Sequence, residues 1–320
     1  MKSIVSKFAS VVIPLLIGIG IIYYQFNSLS EVELEKIKSC FVKANYNYIY
    51  LSLLVSVLGF WIRAYRWKFS LNHLGYHTSF LNNFLTVSVS YLVNLTIPRS
   101  GEISRALLLK KYENVPFDKA FGTIIAERIV DLLIFLLFVA VGFAVQFDTL
   151  YQFFLKQNIS FQNILLYGLI AFAFFVAFIL IWMRAEWNII LKLKKKLSGL
   201  TEGMKSVYQM KNKWWYILYS FAIWTCYLTM FYVTIFALPE TSTISFEIVI
   251  MGFIFGSLAV GFTNGGLGAY PLAIALIFSL YGISNDIGIA FGYLVWTSQT
   301  LLTIVLGLLS YLLLPLINKK

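Results

Sequence analysis

Asn94-Leu95-Thr96-Ile97-Pro98-Arg99-Ser100-Gly101-Glu102-Ile103-Ser104-Arg105, and then Ala126-Glu127-Arg128-Ile129-Val130-Asp131 at the head of a long apolar segment, decide how this chain folds. Everything around these two stretches reads as membrane. On insertion scales a charged side chain at mid-helix costs roughly 2.5–3.5 kcal/mol. Glu127, Arg128 and Asp131 left bare would together cost on the order of 8–10 kcal/mol. Their spacing offers a way out, because Glu127 and Asp131 are i,i+4 and Arg128 and Asp131 are i,i+3, so all three can share one helix face and pair. That face is expected to look into a protein-lined polar cavity and not at lipid.

Composition fixes the class. The 320 residues are 60% hydrophobic and only 12% charged, with a mean hydropathy of +0.80. A soluble domain carries about twice that share of charge, and no polar stretch here is long enough to form one. The chain therefore reads as an all-α polytopic membrane helix bundle, a single integral-membrane domain over residues 1–320. A net charge of +11 would suggest nucleic acid in a soluble protein. In a membrane protein it is topological, since Lys and Arg collect in cytoplasmic loops, and no nucleic-acid partner is expected. Cys40 and Cys226 carry no spacing signature, and His73 and His77 have no acidic or cysteine partner nearby. No segment matches a P-loop, a dinucleotide fingerprint or a metalloprotease helix, so neither metal nor cofactor is expected.

About six full spans follow from the apolar runs: Phe8–Tyr24, Tyr46–Trp61, Phe121–Gln146, Phe161–Met183, Trp214–Ala237 and Ile287–Leu314. Arg63, Arg66 and Lys68 mark the cytoplasmic end of the second. The basic run Arg184–Lys213 reads as a cytoplasmic, partly helical loop lying along anionic headgroups. Both termini are then cytoplasmic, in the cell membrane.

Two segments break simple alternation. Phe80–Ile97 is apolar in outline but carries Asn82, Asn83, Thr86, Ser88, Ser90, Asn94 and Thr96, and basic loops flank it on both sides. Both loops stay on one side if Phe80–Leu109 is a re-entrant helical hairpin turning at Pro98-Arg99-Ser100-Gly101. Irregular backbone at that depth needs protein or water around it, which the amide and hydroxyl groups suit. The second break is Thr263-Asn264-Gly265-Gly266-Leu267-Gly268, between apolar runs each too short for the ~20 residues of a span. It reads as a second hairpin, opposed to the first, as in inverted-repeat transporters, although the sequence shows no convincing repeat.

These breaks hold the candidate site. Arg99 and Arg105 flank the first turn with Glu102 between them, and guanidinium suits bidentate phosphate binding. The functional reading makes Arg99, Arg105 and Arg128 clamps for an anionic headgroup, with Asn94, Glu102, Glu127 and Asp131 in the same polar wall. The plain alternative is that Arg99 and Arg105 anchor the hairpin at an interface and that Glu102 pairs with Arg105. Gly265, Gly266 and Gly268 permit positive φ and close backbone approach. A half-helix starting after them points its N-terminus inward, where it attracts anions. The alternative there is close helix packing, with Asn264 a simple cap.

The series Asn94…Pro98-x-x-Gly101-Glu102-x-x-Arg105, Glu127-Arg128-x-x-Asp131 and Gly265-Gly266-Leu267-Gly268 resembles the lysylphosphatidylglycerol synthase transmembrane region, the flippase-like domain family, over nearly the whole chain. The resemblance implies movement of lipids between leaflets. Some members carry a soluble aminoacyl-transferase domain after the membrane region; this chain ends at Lys320 without one, so synthase activity is not implied. Members tend to have proline before the glycines and glutamate shortly after, where this chain has Asn264 and Pro271.

The expected function is thus a translocase for a lipid or lipid-linked substrate, a transporter rather than an enzyme. Its partners would be an anionic phospholipid or an isoprenoid-linked lipid and the membrane itself, with a homodimer left open. Two alternatives stand beside it. One is an integral-membrane transferase acting on a polyprenyl or phospholipid carrier, for which Glu31, Glu33 and Glu35 at an outer loop superficially offer acidic metal ligands. The other is a non-catalytic subunit that binds through the Arg184–Lys213 run.

Overall fold

The computed structural model describes residues 30–97, 99–147 and 198–318, with isolated positions at 20, 22–24, 27, 166 and 170. The expected spans Phe8–Tyr24 and Phe161–Met183, residue Pro98 and the first half of the Arg184–Lys213 run lie outside the described residues. What is described is helical throughout, with no strand among the described residues.

Helix α1, Glu31–Lys43, starts at a capping box in which the Ser30 hydroxyl accepts from the Glu33 amide and Glu33 reaches back to the Ser30 amide at 2.8 Å. Those bonds hold the Glu33 carboxyl below its ordinary range. Asn45 caps α2, Tyr46–His73, by accepting from the Asn47 amide. The helix runs a dozen residues past the span read from hydropathy. The reason lies in one face. Ser52, Ser56, Gly59, Arg63, Arg66 and Ser70 fall at alternating spacings of four and three, and all are buried. Leu51, Leu54, Leu58 and Trp61 face outward. Arg63 and Arg66 are therefore not loop charges, as the hydropathy reading has them, but part of an inward polar stripe.

Helices α3, Phe80–Thr96, and α4, Gly101–Glu113, form the first hairpin. At 17 and 13 residues they rise about 25 and 20 Å, short of a ~30 Å hydrocarbon core. Gly101 makes the hairpin possible: a Cβ there would run into the Ser90 carbonyl and the Asn94 side chain. The Asn94 Oδ1 accepts the Gly101 amide at 2.7 Å, satisfying a donor that the start of α4 would otherwise leave open. Left-handed Asn114 ends α4, and Pro116 opens α5, Phe117–Val145. Helix α6, Ser198–Gln209, lies across α5 so closely that a Cβ on Gly203 would sit 2.6 Å from the Lys119 carbonyl. Helix α7, Lys213–Ile235, packs along α2. The second hairpin is α8, Phe246–Phe262, and α9, Ala269–Leu280, turning through Gly265, Gly266 and Gly268, all at positive φ.

Helix α10, Asn285–Ile317, is the spine that relates the hairpins. Its 33 residues extend about 50 Å. Near its start Asp286 pairs with Lys36 of α1 at 2.6 Å, and Gly288 and Gly292 let α9 in against Ala275 and Pro271. About a third of the way along, Trp296 Nε1 donates to the Gly265 carbonyl at 2.8 Å. Further along, Gly307 admits Leu92 of α3, and at the far end Asn318 exchanges amide hydrogen bonds with Asn82 at 2.8 and 2.9 Å. The hairpins thus arise at opposite ends of α10 and point toward its middle, where their tips touch. Asn264 Nδ2 donates to the Leu95 carbonyl at 3.1 Å and Arg99 Nη2 to the Gly261 carbonyl at 3.3 Å.

Among the described residues four helices are long and apolar enough to cross a membrane: Tyr46–His73, Phe117–Val145, Lys213–Ile235 and Asn285–Ile317. Tyr46–His73 and Asn285–Ile317 contain expected spans outright, and Phe117–Val145 and Lys213–Ile235 cover theirs to within two residues at the C-terminal end. With the two hairpins they make the expected multi-pass bundle. In this arrangement His77 and Lys111, both exposed, share one end of the bundle and Glu247 occupies the other. Single cysteines at His77 and Lys111 should react with an impermeant maleimide from the same side of the membrane, and one at Glu247 from the opposite side. Labelling of His77→Cys and Lys111→Cys from opposite sides would exclude the first hairpin.

Candidate functional site: a buried arginine–carboxylate cluster beneath two hairpin tips

The polar stripe of α2 meets the charged face of α5. Glu127 Oε1 takes a hydrogen bond from Arg63, lies 3.2 Å from Arg66 Nη2, and accepts from Arg105 Nη1 at 3.1 Å. Asp131 accepts from Arg63 Nη1 at 2.9 Å and from Arg66 Nη1 at 2.7 Å. Arg63, Arg66 and Arg105 are 2, 0 and 1% exposed, Glu127 0% and Asp131 6%. Three guanidiniums thus face two carboxylates, and since Arg is always charged the cluster holds one positive charge in excess.

Its second layer is aromatic and hydroxylic. Arg105 stacks over Trp67, 3.7 Å from the ring centroid, and Trp67 Nε1 is fixed by donation to Thr123 at 2.8 Å. Arg66 lies 5.1 Å over Tyr216 and donates to Ser220 at 2.7 Å. Arg63 reaches the Tyr227 hydroxyl at 3.3 Å, which pairs with Tyr91 at 3.0 Å. Five helices, α2, α3, α4, α5 and α7, are tied to one charged centre. Among the described residues Arg105 Nε and Nη2 and Glu127 Oε2 have no hydrogen-bond partner.

The structure sorts the sequence candidates into three groups. Arg105, Glu127 and Asp131 belong to the sealed cluster. The face carrying the two carboxylates turns inward as expected, but what fills the space in front of it is arginine and not an open cavity. Arg105 is accordingly neither an exposed clamp nor an interface anchor. Glu102 and Arg128 form the second group, a pair at 3.2 Å whose side chains are 19 and 41% exposed. Glu102 therefore forms an ion pair across to α5 and not with Arg105 one turn on. Arg128 is also 3.9 Å from Asp131, so the partly open pair touches the sealed cluster. The third group is the tip junction: Asn94, Arg99, Asn264, Gly265, Gly266 and Gly268. Here Asn94 caps α4, Gly266 donates to the Thr263 hydroxyl at 3.1 Å, and Gly268 at φ 71° launches α9.

Arg63 and Arg66 do not stand out as site residues in the sequence, because Lys and Arg after an apolar run read as a cytoplasmic boundary. The signal that finds them is the 52-56-59-63-66-70 spacing of small and polar residues, which a loop would not keep in register. The Glu31-Val32-Glu33-Leu34-Glu35 run stands apart from the site: Glu33 is spent on the α1 cap, while Glu31 and Glu35 are exposed. A pocket of about 440 Å³ lined by Lys110, Asn114, Pro116, Phe117 and Asp118 opens at the base of the first hairpin, away from the cluster.

An all-helical membrane bundle with paired half-length hairpins and an intramembrane charge cluster defines a class of integral membrane protein built around a polar centre. The family model described as lysylphosphatidylglycerol synthase TM region matches residues 11–307, and the chain belongs to that family. It is also similar to the UPF0104 membrane protein MJ1595 of Methanocaldococcus jannaschii, 30% identical over 173 residues, which are 53% of this chain and 49% of that protein. The match thus spans about half the length of that relative. No solved structure matches the chain.

Removing one partner from a buried ion cluster leaves charge uncompensated and costs about 3–5 kcal/mol, whereas a partly exposed pair contributes about 0–1 kcal/mol. Glu127→Ala should therefore lower the thermal unfolding midpoint in detergent sharply, and Arg128→Ala should leave it nearly unchanged. Equal effects of the two substitutions would contradict the division into a sealed cluster and an open pair.

Proposed function

We propose that the protein is a translocase for a lipid with an anionic headgroup, acting in the cell membrane with both termini on the cytoplasmic side. One observation carries the reading: a cluster with one excess positive charge lies at the bundle's polar centre, and the Arg128–Glu102 pair beside it is partly exposed. An anion seated on Arg128 complements that excess charge, which the protein's own two carboxylates leave uncovered. Acyl chains stay in the bilayer throughout, so only the headgroup needs a polar route past the hairpins.

Each part of the chain has a task in this scheme. Arg63 and Arg66 hold Glu127 and Asp131 in place, so that Arg105 and Arg128 present a field of fixed sign without rearrangement when the headgroup arrives. Arg128 supplies a planar donor set suited to a phosphate. The half-length hairpins place backbone turns, rather than continuous helix, at mid-depth, where a headgroup would pass. The family's description names a phosphatidylglycerol derivative, and phosphatidylglycerol itself, whose headgroup carries an uncompensated phosphate, is the first substrate to try.

The test is transbilayer movement in liposomes. Purified protein reconstituted with a fluorescent phosphatidylglycerol should accelerate access of the label to an external quencher, and Arg128→Ala should slow this by about tenfold or more, the size of one lost charge-assisted contact. Movement that is the same with Arg128→Ala would remove the site assignment, and no acceleration by the native protein would remove the function.

A further inference from the structure

We propose that Arg99 is a latch between the two hairpin tips, and that an anionic headgroup arriving at Arg128 releases it through Glu102. The inference rests on the headgroup reading above and adds how occupancy would open the tips. The first hairpin's tip is tied to the second by two bonds, Asn264 Nδ2 to the Leu95 carbonyl and Arg99 Nη2 to the Gly261 carbonyl. The second tip is held separately on the spine by Trp296 at the Gly265 carbonyl. Parting the tips therefore requires the loss of contacts made by the first tip, and leaves the second where it is.

Arg99 fits a releasable contact. Its guanidinium carries five N–H donors, yet among the described residues it makes one hydrogen bond, at 3.3 Å, from an exposed position. Its acceptor lies at the C-terminal end of α8, where the helix dipole presents partial negative charge to a cation. Its backbone sits at φ 63°, a region that suits glycine and strains other residues. A glycine would make the turn more easily, so what the position retains by having arginine is the guanidinium.

The release follows from charge exchange. Glu102 lies three residues beyond Arg99, in the first turn of α4, and pairs with Arg128. A phosphate on Arg128 competes with that carboxylate. Glu102 then lacks its cation; Arg105, one turn on, is held by Glu127 in the sealed cluster, which leaves Arg99, one turn back and held by a single hydrogen bond, to meet the carboxylate. Exchange of the weak Gly261 carbonyl contact for a full carboxylate draws Arg99 off the second hairpin, leaving Asn264 as the remaining tie.

Spin labels on Ile97→Cys and Phe262→Cys test this, because both positions are exposed, one on each tip, while the native Cys40 and Cys226 are buried. Pulsed electron paramagnetic resonance in phosphatidylcholine nanodiscs should give a short tip-to-tip distance. Adding phosphatidylglycerol should raise the long-distance population about threefold or more, the response expected of a ligand that prefers one of two states. Arg99→Gly keeps the turn and should show the long distance without phosphatidylglycerol. Glu102→Gln should stay short with it. Retained lipid is identified by mass spectrometry on the same samples. Selective retention of phosphatidylglycerol with an unchanged distance, or a short distance in Arg99→Gly, would overturn the latch and leave the headgroup reading standing. No selective retention would overturn the headgroup reading, and the trigger with it.

Discussion

An ionised side chain in hydrocarbon must be given partners by the protein, and most of this structure is arranged around meeting that requirement for Glu127 and Asp131. Two carboxylates one turn apart on α5 are met by Arg63 and Arg66 from α2 and by Arg105 from the first hairpin. Once those five groups are set together, α2, α4 and α5 have little freedom left in rotation or depth. Trp67, Tyr216 and Tyr227 then extend the constraint to α7 and to Thr123. Ridges of leucine give a membrane helix few reasons to choose one neighbour over another, since lipid is as apolar as leucine. A buried cluster whose geometry must close gives it one.

The hairpins answer a different constraint. Their backbone turns lie far from either end of the bundle, where open N–H and C=O groups find no bulk water. Each turn is accordingly satisfied from within. Asn94 covers the Gly101 amide, Asn264 and Arg99 take carbonyls of the opposite hairpin, and Trp296 takes that of Gly265. The tip junction is thus tied by side chains bonded to main chain. Rigid cluster and lightly tied tips sit side by side, one through Arg105 on α4 and the other through Arg99 just before it.

Much of this could be read from the sequence. The amide and hydroxyl content of Phe80–Thr96 and the glycines after Asn264 reveal the two hairpins because such residues have no place on a lipid-facing span. The placement of Glu127 and Asp131 on one inward face follows from i,i+4 spacing alone. What could not be read was who meets them. Arg63 and Arg66 are 64 and 65 residues away from their closest acidic partners, and local pattern equates arginine after an apolar run with an interface. Their true setting is decided by packing of α2 on α5 and α7, to which hydropathy is blind. Arg105 reads from the sequence as a clamp for a headgroup or an anchor at an interface, and neither reading gives it Glu127 as a buried partner. Asn264 reads from the sequence as a simple cap, and its bond to the Leu95 carbonyl of the other hairpin depends on how the two hairpins pack.

Arg66 and Asp131 are held as a pair in a sealed centre on which the bundle depends. A double-mutant cycle with Arg66→Met and Asp131→Leu, followed by thermal unfolding in detergent, measures this directly. Each single change should destabilise strongly by stranding its partner, and the double mutant should recover about 1–3 kcal/mol relative to the sum. Effects that add to within about 0.5 kcal/mol would mean that the two residues do not meet, and would contradict the account.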